Sequence, residues 1–242
     1  MMDKVTIRQI DLMAVNNQQD FVDFLINEQQ IQQGKLIAIN AEKVITAERD
    51  PDVMQLLQQA EFKYADGVSI VKSIHKKYPQ YRTLERVAGC DLWQALMQRA
   101  GQLHVPVFLV GGKPDVLAET QQKLTALWQV NIVGSQDGYF TDQAQSAVIE
   151  RIKASGAKFI TVAMGSPKQE RFMAACQAAY PNALYMGVGG TYDVFTGKVK
   201  RAPLLWQKAN LEWLYRLLSQ PTRWRRQVNL LKYAYYYFAN KL

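Results

Sequence analysis

The sequence predicts an α/β fold: a Rossmann-like parallel sheet flanked by helices, with a C-terminal basic amphipathic helical appendage. Three observations lead there. Short apolar runs alternate with helical stretches of about 10–15 residues through the middle of the chain, the rhythm of right-handed βαβ units. The 242 residues and 48% hydrophobic content suit one large domain, or a domain with an extension. The charge is uneven: Lys198 to Leu242 holds ten Lys and Arg against one acid, Glu212, while residues 1–197 hold nineteen basic and twenty acidic residues. The expected division is residues 1–200 for the α/β domain and 201–242 for the appendage.

In chain order, Val5-Thr6-Ile7 and Asp11-Leu12-Met13 read as short edge strands. Asn17 to Gln30 reads as an amphipathic helix, with Phe21, Phe24, Leu25 and Ile31 at helical spacing. Leu36-Ile37-Ala38-Ile39 is an apolar run of strand length, followed by Asn40-Ala41-Glu42. Asp52 to Ala60 suits a helix, Phe62 to Ala65 a strand closing on Asp66-Gly67, and Val68 to Lys77 another helix. Val105 to Val110 is a buried strand ending in Gly111-Gly112-Lys113-Pro114, before a helix from Asp115 to Leu127. Val130 to Val133 is a strand opening into a loop from Gly134 to Phe140, before a helix from about Gln143 to Ala154. Lys158 to Met164 ends at Gly165-Ser166-Pro167, where Ser166 as N-cap, Pro167 at the first helical position and Gln169 form a capping-box pattern. Ala183 to Val188 is the last strand and closes on Gly189-Gly190.

The tail breaks this rhythm. Trp206, Trp213, Leu214, Leu217 and Leu218 repeat at helical spacing, and Ser219-Gln220-Pro221 punctuates. A second helix then aligns Trp224, Val228, Leu231, Tyr235 and Phe238, with Arg225, Arg226, Asn229 and Lys232 on its other side. The segment from Lys198 holds nine of the 26 aromatic residues, so its basic charge comes with apolar rings. That pairing suits an anionic membrane surface, where each Lys or Arg contributes about 1 kcal/mol and aromatics anchor. Trp224, Arg225, Arg226, Leu231, Lys232, Tyr235 and Phe238 are the expected contacts.

Several classes drop out. Charged residues at 21% and only 22 Gly and Pro exclude a disordered or fibrous chain. The sequence has no apolar run long enough for a membrane span, and its first residues lack a secretory pattern. Cys90 and Cys176 stand far apart with no CxxC, which argues for a reducing cytoplasm and against a zinc site. His75 and His104 are isolated, so neither a triad nor a histidine-rich metal site can be assembled.

In an open parallel sheet, ligands bind beyond the carboxyl ends of the strands. Gly111, Gly112, Gly165, Gly187, Gly189 and Gly190 fall at such ends, with Gly134 and Gly138 in a fourth loop. Tight turns alone explain any single loop. Four together favour a nucleotide or sugar-phosphate ligand, whose charge meets loop N–H groups and helix N-termini. Neither a GxGxxG nor a GxxxxGK[ST] pattern is present, which disfavours ordinary NAD enzymes and P-loop NTPases. Asp66, at a strand end before Gly67, is either a general base or a helix N-cap. Asp193 is equally ambiguous and could grip a ribose or sugar hydroxyl. Asp50-Pro51-Asp52 has the DxD spacing of metal-holding transferases, but Pro and acids also suit a helix start, which is the preferred reading.

Taken together, Ile39-Asn40-Ala41-Glu42-Lys43, Tyr64-Ala65-Asp66-Gly67, Arg86 to Leu92, Phe108 to Pro114, Asp137-Gly138-Tyr139-Phe140 and Gly165 to Glu170 resemble the signature blocks of the WecG/TagA/CpsF family, glycosyltransferase family 26. The match continues through Gly187 to Asp193, Gly197 to Pro203 and Leu211 to Arg216. Within the family, the wording is most similar to the branch that builds enterobacterial common antigen. The resemblance implies inverting transfer of N-acetylmannosaminuronate from UDP to undecaprenyl-diphosphate-linked N-acetylglucosamine. It also implies no metal or other cofactor, and a peripheral place on the cytoplasmic face of the bacterial inner membrane. By matching motif, Asp66 is the base, and Asn40 lies in the first block. The Arg86 block and Gln169 resemble sugar and diphosphate contacts, while Asp193 and the Gln136, Asp137 and Tyr139 loop would hold UDP. Without metal, the leaving diphosphate needs cations, for which Arg86, Lys113, Lys198, Lys200 and Arg201 are candidates. One departure matters: the teichoic-acid branch has Thr-Pro-Asn where this chain reads Ala38-Ile39-Asn40, so a threonine proposed to assist there is missing.

Three rivals remain at this stage. A nucleic-acid-binding module would explain the pI of 9.4 and the tail but leaves the glycine loops without a purpose, so no nucleic-acid partner is expected. An epimerase or dehydrogenase lacks its dinucleotide fingerprint. Transfer of neutral N-acetylmannosamine or another aminosugar stays inside the family. The sequence leaves open whether the chain forms a homo-oligomer, and whether the tail completes its own site or a neighbour's.

Overall fold

The computed structural model describes residues 2–203, 205–206, 212–219 and 224–242, without the side chains of 216, 217, 219 and 224–228. An antiparallel hairpin opens the chain, β1 (Lys4–Ile7) against β2 (Ile10–Met13). The two expected edge strands pair with each other, and Arg8 and Gln9 make the tight turn between them with positive φ. Helix α1 (Gln18–Leu25) starts at Asn17, whose side chain accepts from Asp20 N. It ends five residues before the expected Gln30, because Asn27 Oδ1 takes the N–H groups of Gln29 and Gln30 and Ile26 bridges Ile31.

The six-stranded sheet comprises β3 (Gly34–Ile39), β4 (Phe62–Ala65), β5 (Val107–Gly111), β6 (Ile132–Gln136), β7 (Phe159–Ala163) and β8 (Leu184–Gly187). All its pairings are parallel, in the order β4-β3-β8-β7-β5-β6. The β3–β4 pair runs outward to one edge and the β5–β6 pair to the other, with β7 and β8 between. Helices cover both faces, as a sheet buried on two sides requires. On one face lie α2 (Ala41–Arg49), α3 (Pro51–Gln58), α4 (Val68–Lys77), α7 (Gln145–Ala154) and α8 (Lys168–Ala179). On the other lie α1, α5 (Gly89–Gln102), α6 (Pro114–Trp128) and α9 (Thr191–Phe195).

Two expectations shift by a residue or two, with consequences. Gly134 lies inside β6 rather than in a loop, and a Cβ there would stand 2.4 Å from the Phe108 ring. That glycine makes room for a core aromatic and does not approach a ligand. At α8, Pro167 and not Ser166 is the N-cap, Ser166–Pro167 is cis, and no side chain caps the helix. Gln169 cannot complete a capping box because its amide is engaged elsewhere, as described below.

The appendage forms α10 (Glu212–Ser219) and α11 (Trp224–Phe238). Helix α11 packs on α2: Tyr233 is buried in the α2–α4 core cluster and hydrogen-bonds Ser73 Oγ at 2.8 Å. Tyr236 Oη donates to Glu48 Oε2 at 2.9 Å, and Arg49 donates to Asn229. The opposite side leaves Leu231, Tyr235 and Phe238 exposed at 74%, 56% and 78%. Lys232, expected beside the membrane, instead pairs with Glu48 at 3.3 Å and lies over the Tyr236 ring. The expected contacts Trp224, Arg225 and Arg226 have side chains outside the described residues. No helix among the described residues is long and apolar enough to cross a membrane.

Candidate active site

The carboxyl ends of the parallel strands bring most of the expected residues to one rim of the sheet. Asp66 directly follows β4, and its backbone N–H is tied to Ile39 O at 3.0 Å. The N-cap alternative fails for its own helix, since Gly67 is the N-cap of α4. Asp66 Oδ1 instead accepts from Gly89 N at 2.9 Å, at the first turn of α5, where the helix dipole favours a carboxylate. Arg86 fixes the same residue from another side: Nε donates to the Asp66 carbonyl at 2.5 Å, and Nη2 lies 3.8 Å from Oδ1. Asp66 Oδ2 makes no hydrogen bond among the described residues, and the side chain is a quarter exposed. One oxygen orients the carboxylate and the other is open to a substrate.

Arg86 Nη2 also donates to Glu212 Oε2 at 3.2 Å, so the first residue of α10 reaches the rim of its own chain. Glu212 Oε1 stands 3.6 Å from Arg201 Nε, and Arg201 makes a bidentate pair with Asp91 through Nη1 and Nη2. Those hydrogen bonds to Asp91 hold the Arg201 guanidinium firmly protonated. Ala38, where the threonine of the other branch is missing, is in register with Tyr64 on β4. The Tyr64 hydroxyl is fully buried with no hydrogen-bond partner among the described residues, a Cβ on Gly89 would meet it at 3.1 Å, and burial raises its pKa well above the usual value.

A second group lies under the β3, β7 and β8 ends. Asn40 caps α2 by accepting from Lys43 N at 2.9 Å, which leaves its Nδ2 without a partner among the described residues. Lys43 Nζ pairs with Glu170 Oε1 at 2.7 Å, and the two side chains are 9% and 1% exposed. Gln169 donates to the same Glu170 oxygen at 3.2 Å and accepts from Gly189 N at 2.9 Å. Burial pushes the Glu170 carboxyl up, but the Lys43 ammonium and the Lys43 and Gln169 hydrogen bonds outweigh it and hold it below the ordinary value. Gln169, expected to touch substrate, is 4% exposed and serves first to shape the Gly189 loop.

The third group gathers at the β5 and β6 ends. Gly111 and Gly112 have positive φ, and a Cβ on Gly111 would stand 2.3 Å from Ala163 O, so this turn needs glycine for packing. Gly138 N donates to Gly112 O, which closes the next loop onto it. Asp137 Oδ1 accepts from Tyr139 N at 2.8 Å, Tyr139 is 69% exposed, and Gln136 is held by Arg151 at 2.8 Å. Lys113 and Lys200 are exposed, and neither they nor the Asp193 carboxylate has a partner among the described residues. Gly190 is the N-cap of α9 with negative φ and contributes no special backbone freedom. Lys198 pairs with Asp115 and Glu119 outside the rim groups.

Five strand spacings of about 4.8 Å separate β4 from β6, so about 24 Å lies between Asp66 and the Gln136–Tyr139 loop. They cannot grip the same sugar ring, and only an extended ligand would meet both. Asp50 is spent as the N-cap of α3, accepting from Asp52 and Val53, which removes the DxD alternative. A concavity of about 510 Å3 lies at the opposite end of the sheet, lined by Gln30, Lys158 and Asn182 among others, and contains none of these residues.

Sequence reasoning passed over Lys43, Glu170, Asp91 and Glu212. Each sat inside a motif block, but its partner lies far away in sequence. The model of the glycosyl transferase WecG/TagA/CpsF family matches residues 5–242. The chain belongs to that family. It is therefore a glycosyltransferase, with a sugar donor and an acceptor.

Proposed function

We propose that this glycosyltransferase moves N-acetyl-D-mannosaminuronate from UDP to undecaprenyl-diphospho-N-acetylglucosamine, with inversion and without a metal. The observation that carries the chemistry is Asp66, oriented through Oδ1 and open at Oδ2. Oδ2 takes the proton from the acceptor hydroxyl as its oxygen attacks the anomeric carbon. The bond from that carbon to the diphosphate breaks on the opposite face, and UDP departs with the electron pair. Arg86, Lys113, Lys200 and Arg201 then offset the charge that develops on the diphosphate. Asn40, Gly189 and Asp193 would lie along the sugar, and Asp137 and Tyr139 at the far end of the nucleotide. The uronate donor rests on the family resemblance of the sequence blocks.

Residues 201–242 we take as the membrane-association unit of this reading. Its support is the exposed ridge of Leu231, Tyr235 and Phe238 on the side of α11 facing away from α2. An enzyme held this way would sit as a peripheral protein where an undecaprenyl acceptor is embedded.

The deciding assay supplies vesicles carrying undecaprenyl-diphospho-N-acetylglucosamine and either UDP-N-acetylmannosaminuronate or UDP-N-acetylmannosamine, in EDTA. UDP release and glycolipid product with the uronate donor alone is the expected result. Turnover with only the neutral donor would replace the donor assignment. Activity that appears only after Mg2+ or Mn2+ is restored would overturn the metal-free mechanism.

A further inference from the structure

Helix α11 is gripped differently on its two flanks. Toward α2, Tyr236 and Lys232 both reach Glu48, which also takes Arg8 Nε at 2.6 Å, so Lys232 and Arg8 are held by one carboxylate. Toward α4, Tyr237 lies under Lys76, whose Nζ stands 4.5 Å from the ring centre and donates to the Tyr237 carbonyl. No carboxylate among the described residues pairs with Lys76, with Lys72 one turn before it, or with Lys241, whose Nζ donates to Tyr235 Oη at 3.0 Å. All three lysines are exposed.

Helix geometry puts these cations beside the apolar ridge. Within α4, Ser73 and Ile74 face inward, while Lys72 and Lys76, four residues apart, share the outer face. Ser73 Oγ holds Tyr233 and Lys76 holds Tyr237, so that outer face runs alongside α11. On the outer side of α11, Leu231, Tyr235 and Phe238 are exposed, and the Phe238 ring meets Tyr237 edge-on at 5.4 Å. Apolar side chains therefore stand beside cations that no described carboxylate neutralises. A bilayer with anionic headgroups answers both, since its acyl region takes the ridge and its phosphates take the lysines. A polyanion with no apolar phase would leave Leu231 and Phe238 in water. A second copy of the chain would bring lysines of the same sign to a twofold interface.

We propose that Lys72 and Lys76 of α4, with Lys241, are headgroup contacts of an anionic membrane, so that the docking surface spans the α/β body as well as the tail. The proposal rests on the membrane reading of the tail for the presence of a bilayer, and adds which part of the body faces it. Helix α4 starts directly after Asp66 and Gly67, so a bilayer held at Lys72 and Lys76 orients the strand-end rim together with the tail.

The test is co-sedimentation of the full chain and its variants with phosphatidylcholine vesicles, with and without phosphatidylglycerol. Each lysine at an anionic leaflet is worth about fivefold in binding, so Lys72→Gln/Lys76→Gln should bind the anionic vesicles roughly 10–30-fold more weakly. Lys72→Arg/Lys76→Arg keeps both charges and should bind like the native chain. Loss of the Lys76 bond to Tyr237 could itself loosen α11 in the double variant. Lys72→Gln alone removes no hydrogen bond or ion pair of the described residues and should still lose about fivefold. Undiminished binding by both glutamine variants, with Leu231→Ser/Phe238→Ser weakened, would overturn the proposal and leave the tail as the whole membrane contact. Equal native binding to the two kinds of vesicle would also overturn it, because headgroup charge would then play no part. Failure of the native chain to bind either vesicle would sink the membrane reading and the proposal with it. A single-stranded oligonucleotide bound by the native chain and not by the double variant, while both bind vesicles alike, would give the lysines to nucleic acid instead. A dimer dissociated by Leu231→Ser, in a chain that ignores vesicles, would give the ridge to a second copy.

Discussion

Two ion-pair networks share the rim of the sheet and differ in what they leave accessible. Lys43 and Glu170 are sealed under the β3 and β7 ends, with Gln169 and Gly189 completing the chain of contacts. Arg86, Asp66 and Glu212 lie at the mouth, with side chains 24%, 25% and 8% exposed. The sealed network spends its charges on geometry, because desolvated charges can be kept only when each has a partner. The open network holds its carboxylate by one oxygen and keeps the other available. A basic residue paired with a carboxylate thus serves as frame at Lys43–Glu170 and leaves one carboxylate oxygen for chemistry at Arg86–Asp66.

The largest expected effect breaks the open side. Asp66→Asn should lower turnover roughly 10²–10⁴-fold while the melting transition stays put. Near-normal product formation in the assay above would remove Asp66 from the role of base. On the sealed side the expectation inverts: Lys43→Met strands Glu170 and should cost about 3–5 kcal/mol in urea denaturation. The double variant Lys43→Met/Glu170→Leu should recover much of that loss, and if it does not, the pair is more than a partnered charge.

The pH dependence sharpens the same contrast. The folded-state pKa of Glu170 lies below the ordinary glutamate range, so its stabilisation is complete above that range and is lost as pH falls through the folded pKa. Denaturation curves from pH 7 to pH 3 should show this loss in the native chain and lack it in the double variant. A smaller effect belongs to the tail. Leu231→Ser with Phe238→Ser should weaken binding to anionic vesicles and change stability by no more than about 0.5 kcal/mol, since both are exposed. Tyr233→Phe gives the opposite pattern: it removes the bond to Ser73 and should cost about 1 kcal/mol without touching vesicle binding. Deleting the tail from 221 onward would confound the two, because it would also uncover the core that Tyr233 fills.

Much of the fold was legible because apolar runs and glycine-bearing strand ends are local signals. The six strands of the main sheet fall where alternation predicts them, within a few residues. Helix α5 has Leu92, Trp93, Leu96, Met97 and Ala100 buried at helical spacing, but the block around Arg86 drew the eye as a motif and hid it. The Lys43–Glu170 pair spans 127 positions, and nothing near either residue announces the other. In α11 the aromatic residues Tyr233, Tyr235, Tyr236, Tyr237 and Phe238 fall on every side. Periodicity therefore showed an amphipathic helix without revealing that Tyr233 faces inward and Phe238 outward. At the rim, Asp66 and Arg86 stood out by position, but Glu212 did not, since its role depends on where α10 lands.

Helix α2 joins the two halves of this picture. Its N-cap, Asn40, belongs to the rim, and its last turn, through Glu48 and Arg49, grips α11. Nine residues at about 1.5 Å each make a stiff strut about 13 Å long. On the proposed reading, a membrane surface under the Leu231–Phe238 ridge would be held at a set height from the strand ends. The depth at which an acceptor headgroup presents its hydroxyl would then be gauged by the length of one helix.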